Sequence, residues 1–267
     1  MIETRNLGVS LGGNRILAGI DFFAAPGQIT AIVGPNGSGK TTLLRALAGD
    51  LPYTGAVLLD GRDFSAFKPW EMAARRAVLP QASALSFPFT VREIVRLGLT
   101  GGYSGLPLAE EGNLPDIALQ RVDLGGQGRR LYQELSGGEQ QRVQLARVLC
   151  QVWRPVVDGV PRYLFLDEPV SNLDIRHQIV VMEIARGFAE AGGGVIAIMH
   201  DLNLTAMFAD RIAVMCGGRL DTIAPPQEAL TDERLERVYE CALRVGVLPA
   251  RNVPFVLPQS AIRAAAE

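Results

Sequence analysis

Gly34-Pro35-Asn36-Gly37-Ser38-Gly39-Lys40-Thr41-Thr42 decides how this chain folds. The stretch fits the phosphate-loop pattern G-x-x-x-x-G-K-[ST], and its flanks agree with it. Ile29-Thr30-Ala31-Ile32-Val33 before it is a β-branched run of the kind found in buried parallel strands. Leu43-Leu44-Arg45-Ala46-Leu47-Ala48 after it begins a helix. Glycines at these spacings let the backbone take positive φ and turn its N–H groups inward into an anion nest. The helix N-terminus contributes partial positive charge and Lys40 a full one. Such a loop binds the phosphates of a nucleotide.

Working outward, two strand-like segments precede the loop, Ile2 to Leu11 and Ile16 to Ala25, joined by a Gly12-Gly13-Asn14 turn. After it come a strand at Ala56 to Leu59, a short helix at Pro69 to Arg76 and a strand at Ala77 to Leu79 ended by Pro80. From Ala82 strand-like runs stop until Tyr163, and helical periodicity occupies Val91 to Leu99, Leu114 to Val122 and Glu139 to Cys150. The sheet resumes at Tyr163-Leu164-Phe165-Leu166-Asp167, then a helix over Arg176 to Ala191, a strand Val195 to Met199 and a helix Leu202 to Ala209. Gly217-Gly218 joins two further strands, and Asp232 to Ala242 is the last helix expected. Alternating strands and helices around a phosphate loop predict an α/β fold. It has a mostly parallel core sheet, an antiparallel N-terminal β part and an inserted helical subdomain. The expected division is a core of residues 1–81 and 162–223, a helical subdomain of 82–161 and an extension of 224–267. Strand ends then set Gly34, Gln81, Asp167 and His200 along one carboxyl edge, where such sheets bind ligands.

Bulk properties narrow the function. The 267 residues carry a formal net charge of −2, which supplies no basic field for nucleic acid. Cys150, Cys216 and Cys241 are scattered without C-x-x-C spacing, so neither a disulfide framework nor a zinc site is expected. The N-terminus lacks a signal-peptide pattern, and no apolar run approaches the ~20 residues that span a bilayer. Work at a membrane therefore requires a partner.

Two more motifs carry chemistry. Asp167-Glu168 closes an apolar strand in the manner of a Walker B motif. A carboxylate there can hold Mg2+ beside the Thr41 hydroxyl, and Glu168 is positioned to polarise an attacking water. Leu135-Ser136-Gly137-Gly138-Glu139, followed by Gln140-Gln141-Arg142, opens a second helix with exposed N–H groups and a hydroxyl. The helical insertion holds it away from the first loop, so it is expected to act in trans on a second copy of the chain.

With these motifs in order, the chain resembles the ATP-binding subunits of ABC transporters over nearly its whole length. Gly34 to Thr42 resembles Walker A, Gln81 the Q-loop glutamine, Leu135 to Glu139 the signature and Asp167-Glu168 Walker B. Ser171-Asn172-Leu173-Asp174 resembles the D-loop and His200 the switch histidine. The resemblance implies an ATPase coupled to transport, a head-to-tail homodimer and two ATP molecules with Mg2+ between Walker A and the opposite signature. It implies that Gly34, Pro35, Asn36, Gly37, Ser38, Gly39, Lys40, Thr41 and Thr42 bind ATP. Thr41, Gln81 and Asp167 would serve Mg2+, Glu168, Gln81 and His200 catalysis, and Asp174 communication across the dimer. Ser136, Gly137, Gly138 and Glu139 would meet the opposite ATP. Family members stack adenine on an aromatic, but residues 7–19 contain none, and Val9 or Leu11 falls in that place. His177 matches no motif and is expected to be a solvated or packing residue.

Gln81 to Val91, with its Phe87-Pro88-Phe89, Leu173 to Gln178 and His200 to Ala206 resemble the haemin-import branch, grouped with iron-siderophore and vitamin B12 importers. By that resemblance the partners are two transmembrane permease subunits and a periplasmic substrate-binding protein. The chain would be peripheral on the cytoplasmic face of the bacterial inner membrane, attached through the permease only. An ABC ATPase of DNA repair would carry a long coiled coil, a translation factor two cassettes, and a small-molecule kinase would not need the signature. None of these patterns is present in the sequence.

Overall fold

The computed structural model describes residues 1–81, 87–101, 104–249 and 254–260. Ala82 to Ser86, part of the stretch that resembles the haemin-import branch, lie outside them. Two sheets organise the chain. In the first, β1 (Ile2–Leu11) pairs antiparallel with β2 (Asn14–Ile20), β3 (Phe23–Ala24) and β5 (Thr54–Leu59), and β6 (Arg62–Asp63) closes the edge. The second sheet has the order β13-β12-β4-β11-β10-β7. Its strands are β4 (Ile29–Val33), β7 (Arg76–Leu79), β10 (Tyr163–Asp167), β11 (Gly194–Ile198), β12 (Arg211–Cys216) and β13 (Arg219–Ala224). All pairings are parallel except β12 with β13. Every residue of β4, β10 and β11 is buried, which explains why they read as continuous apolar runs rather than alternating ones.

Helix α1 (Lys40–Leu47) lies between the sheets. Its Leu43, Leu44 and Leu47 join Ile2, Ile20 and Val57 of the first sheet and Ile32, Phe165 and Ile198 of the second in one buried cluster. The opposite face is covered by α7 (Ile175–Glu190) and α8 (Leu202–Phe208), in a cluster that runs on into the inserted helices. There α3 (Val91–Arg96), α5 (Leu114–Arg121) and α6 (Gly137–Gln151) pack on one another, while α4 (Leu108–Glu111) is a single turn. Gln151, at the end of α6, donates to the carbonyls of Ala73 on α2 (Pro69–Arg75) and Arg76 on β7, both at 2.9 Å.

Four expectations change in detail. The strand expected over Ile16 to Ala25 breaks after Ile20, because the Thr4 hydroxyl accepts from the Phe22 amide and donates to the Ile20 carbonyl at the crossing. Helix α3 ends at Arg96, and Leu97–Leu99 tighten into a 3₁₀ turn where Gly98 lies so close to the Arg147 carbonyl that a methyl would overlap it. The insertion is not wholly helical: β8 (Val156–Val157) and β9 (Val160–Pro161) form a hairpin about Asp158-Gly159, both at positive φ. After the short α9 (Pro226–Ala229), helix α10 (Asp232–Tyr239) stops before Ala242 because Glu240 turns left-handed, φ 53°. Phe87-Pro88-Phe89 divides its allegiance, Phe87 being 70% exposed while Phe89 packs on the helical core.

Burial pushes the Cys150 thiol up to about 12, with a minor contribution from Glu111, and also raises the Tyr163 phenol. Folding thus favours the neutral form of both, and the unfolded chain releases these protons first as pH rises. The urea midpoint is expected to fall as pH is raised from about 9 toward 11, and to fall less in Cys150→Ala. In the folded chain exposed Cys241 should react with a thiol reagent while Cys150 reacts only on unfolding.

Candidate nucleotide-binding and hydrolysis site

The carboxyl ends of β4, β7, β10 and β11 lie side by side, and the loops leaving them meet. A cavity of about 780 Å3 is lined by Asn36, Gly37, Gly39, Lys40, Thr41 and Thr42 from the phosphate loop, with Gln81, Glu168, His200 and Ile16. Of the remaining loop residues, Ser38 is buried behind this wall with an unpartnered hydroxyl, and Gly34 and Pro35 accept from the Lys40 ammonium at 2.8 and 2.9 Å. Gly34 takes φ +146°, and a methyl there would overlap the Met215 carbonyl of β12. Burial lowers the Lys40 pKa, opposed by the charges of Glu168 and Asp167.

Asp167 is buried at the end of β10. Burial raises its carboxyl pKa, the Glu168 charge adds to the rise, and Thr41, His200 and Lys40 oppose it. Its Oδ1 lies 3.5 Å from the Thr41 hydroxyl. Glu168 comes next in left-handed conformation, φ 51°. Its two carboxylate oxygens have different partners: His200 Nε2 stands 2.6 Å from Oε1, and the Gln81 amide donates to Oε2 at 2.9 Å. A carboxylate beside an amide, an imidazole and an ammonium is chemically suited to accept a proton from water next to a polyanion.

The signature residues open elsewhere. Ser136, Gly137, Gly138 and Glu139 line a second cavity of about 620 Å3 with Arg142, Asn172, Leu173, Asp174 and His177. It shares no residue with the first. Ser136 and Glu139 form a reciprocal capping box at the start of α6: the Ser136 hydroxyl accepts from the Glu139 amide, and the Glu139 carboxylate accepts from the Ser136 amide at 2.8 Å. Asp174 caps α7, accepting from the His177 amide at 2.9 Å. The His177 ring, expected to be a solvated or packing residue, is half-buried in the wall of this cavity, 2.9 Å from the Asp174 carboxylate and 3.5 Å from Asp123.

One apolar residue of the cavity wall was missed by sequence reasoning. Val9 is buried in the core and cannot present a surface, and Leu11 is exposed but does not line the cavity. Ile16 does, from the start of the second strand. Arg142 was also missed: it is buried under the second cavity and donates to the carbonyls of Val122 and Asp123. Its place in a helical repeat gave no sign of that.

One P-loop α/β chain with a cavity headed by Lys40 and, apart from it, a capped glycine helix start has the layout of an ATP-binding cassette. The ABC transporter profile matches residues 17–171, and the chain belongs to that ATPase family. It is 64% identical over 262 residues to the hemin import ATP-binding protein HmuV of Mesorhizobium japonicum, covering 98% of this chain and 100% of that one. The protein of the same name from Rhizobium meliloti is 58% identical, at 98% and 99% coverage. Among solved structures, an ATP-binding subunit of an ABC transporter superposes with TM-score 0.74 at 20% identity, covering 91% of this chain and 94% of that one.

Hydrogen bonds to the Ser136 amide and hydroxyl, with Arg130 nearby, hold the Glu139 carboxyl below its usual value of 4.5. The ionised form is therefore favoured by folding, so this stability is complete above 4.5 and disappears as pH falls through the lowered value. Glu139→Ala is expected to cost about 1 kcal/mol in urea titrations at pH 7. The difference from the parent should shrink as pH is lowered from 4.5.

Proposed function

We propose that this chain is the ATP-hydrolysing subunit of a haemin importer, working as a homodimer at the cytoplasmic face of the bacterial inner membrane. It joins two transmembrane permease subunits, and a periplasmic substrate-binding protein delivers cargo through them. The observation that carries this reading is the separation of the two cavities. One chain has a phosphate loop with its acid residues and, apart from it, a capped glycine helix start; a second copy, head to tail, supplies to each loop the half it lacks. High identity to two proteins named for hemin import supports the cargo. Exposed Phe87, six residues after Gln81, supports a permease contact beside the nucleotide cavity.

In this reading the N–H groups of the loop, Pro35 having none, and the Lys40 ammonium hold the β and γ phosphates, and Thr42 touches the α-phosphate. Ser136, Gly137, Gly138 and Glu139 of the opposite subunit close on the γ-phosphate, and Asp174 lies at the joint. Mg2+ fits the residues present: a hydroxyl on Thr41 and a carboxylate on Asp167 stand 3.5 Å apart beside the loop, a hard oxygen set that phosphate oxygens would complete. Gln81 contributes its amide oxygen, since its nitrogen faces Glu168. The ion would neutralise phosphate charge. Glu168 takes the proton of the attacking water, and His200, at its Oε1, orients the carboxylate. Ile16 gives adenine an aliphatic support.

Glu168→Gln is expected to bind ATP with parent affinity while phosphate release falls by roughly 100-fold or more; parent-like turnover would remove Glu168 from the role of base. The cargo is tested in liposomes holding the chain with its permease. ATPase activity should rise with haem-loaded binding protein, and stimulation by siderophore-loaded protein alone would reject haemin.

A further inference from the structure

Glu168 is held at three points, and only two of them touch its carboxylate. The third is its backbone carbonyl. Left-handed backbone is unfavourable for a residue with a side chain, and it persists where surrounding contacts over-determine it. Here the carbonyl accepts from the amide and the hydroxyl of Ser171, at 3.3 and 3.2 Å, which are local contacts within the turn after the strand. It also accepts from the Gln141 side-chain amide at 2.8 Å, the shortest of the three. Gln141 comes from another part of the chain. It stands on α6, five residues after Ser136, so one short rigid helix carries both the signature glycines and the donor that grips Glu168. Its amide oxygen is buried, and its nitrogen makes the bond to Glu168. Where α6 meets the D-loop stretch there is little slack, since a Cβ on Gly138 would come within 3.0 Å of the Asn172 carbonyl.

A shift of α6 therefore moves the donor that holds the peptide of Glu168, and rotation of that peptide swings the carboxylate relative to Gln81 and His200. We propose that Gln141 is a positioning residue for hydrolysis, linking the signature helix to the aim of the Glu168 carboxylate in the same subunit. Contact of the signature with one ATP would then bear on the base that serves the other. This rests on Glu168 being the general base.

The test uses the full chain with its permease in liposomes. Gln141→Met keeps length and volume but removes the donor, and a thermal melt checks its fold; if it does not fold, Gln141→Glu, of equal size, carries the same measurement. Loss of one such hydrogen bond should lower kcat by roughly five- to tenfold and leave KM for ATP within about twofold. In a Glu168→Gln background the same substitution should have no further effect on residual hydrolysis, because the carboxylate it aims is gone. An unchanged kcat, or an equal loss in that background, would overturn the proposal. Parent-like hydrolysis by Glu168→Gln alone would instead overturn the general-base reading beneath it.

Discussion

The parallel pairing of β10 with β11 on one side and β7 on the other is the constraint on which the nucleotide cavity depends. Phe165 pairs with Ile196 and with Val78, so the three strands run in step and end within a residue or two of one another. Residues one or two places beyond the three ends are thereby delivered to one spot: Gln81 after β7, Glu168 after β10 and His200 after β11. No side chain in the group needs a long reach. The 2.6 and 2.9 Å contacts on the Glu168 carboxylate result from strand register, and a slip of one residue in any strand would turn its side chains to the other face.

Electrostatics gives the same edge its character. Asp167 and Glu168 repel one another at the mouth of a buried sheet, and Lys40 opposes both. Burial weakens the charged forms of Lys40 and Asp167 alike, and each opposes that effect on the other. The antiparallel first sheet completes the wall. The Ala18 amide donates to the Gly218 carbonyl and the Gly218 amide to that of Ser38, so the β12–β13 turn pins β2, and with it Ile16, against the phosphate loop.

Much of this was legible in the chain. The phosphate loop, the strand ending in Asp167 and the glycine-led helix at Ser136 are local patterns whose residue types answer backbone needs, and they can be read without knowing what they touch. Ile16 and Gln141 were not legible, because what each meets is distant in sequence: the wall of the nucleotide cavity for one, the carbonyl of Glu168 for the other. Nothing in an aliphatic or a helical glutamine marks such a contact. The burial of Val9 was not legible either, because alternation shows that one face of a strand is buried but not which face meets a second sheet. The β8–β9 hairpin is a different kind of miss. Val156-Val157-Asp158-Gly159-Val160 carries an Asp-Gly turn between β-branched residues, a signal present in the sequence and overridden by the helices around it.

The glycines of the phosphate loop do not all answer to the same master. Gly37 lines the cavity with open space about it, and its positive φ turns backbone toward the ligand. Gly34 is also pressed by the carbonyl of Met215, so its lack of a side chain serves the joint between β4 and β12 as well. An inactive variant at Gly34 therefore mixes a disturbed sheet with a disturbed phosphate loop, whereas one at Gly37 leaves the sheet packing alone. A motif that looks uniform on paper is, in three dimensions, a seam between architecture and chemistry.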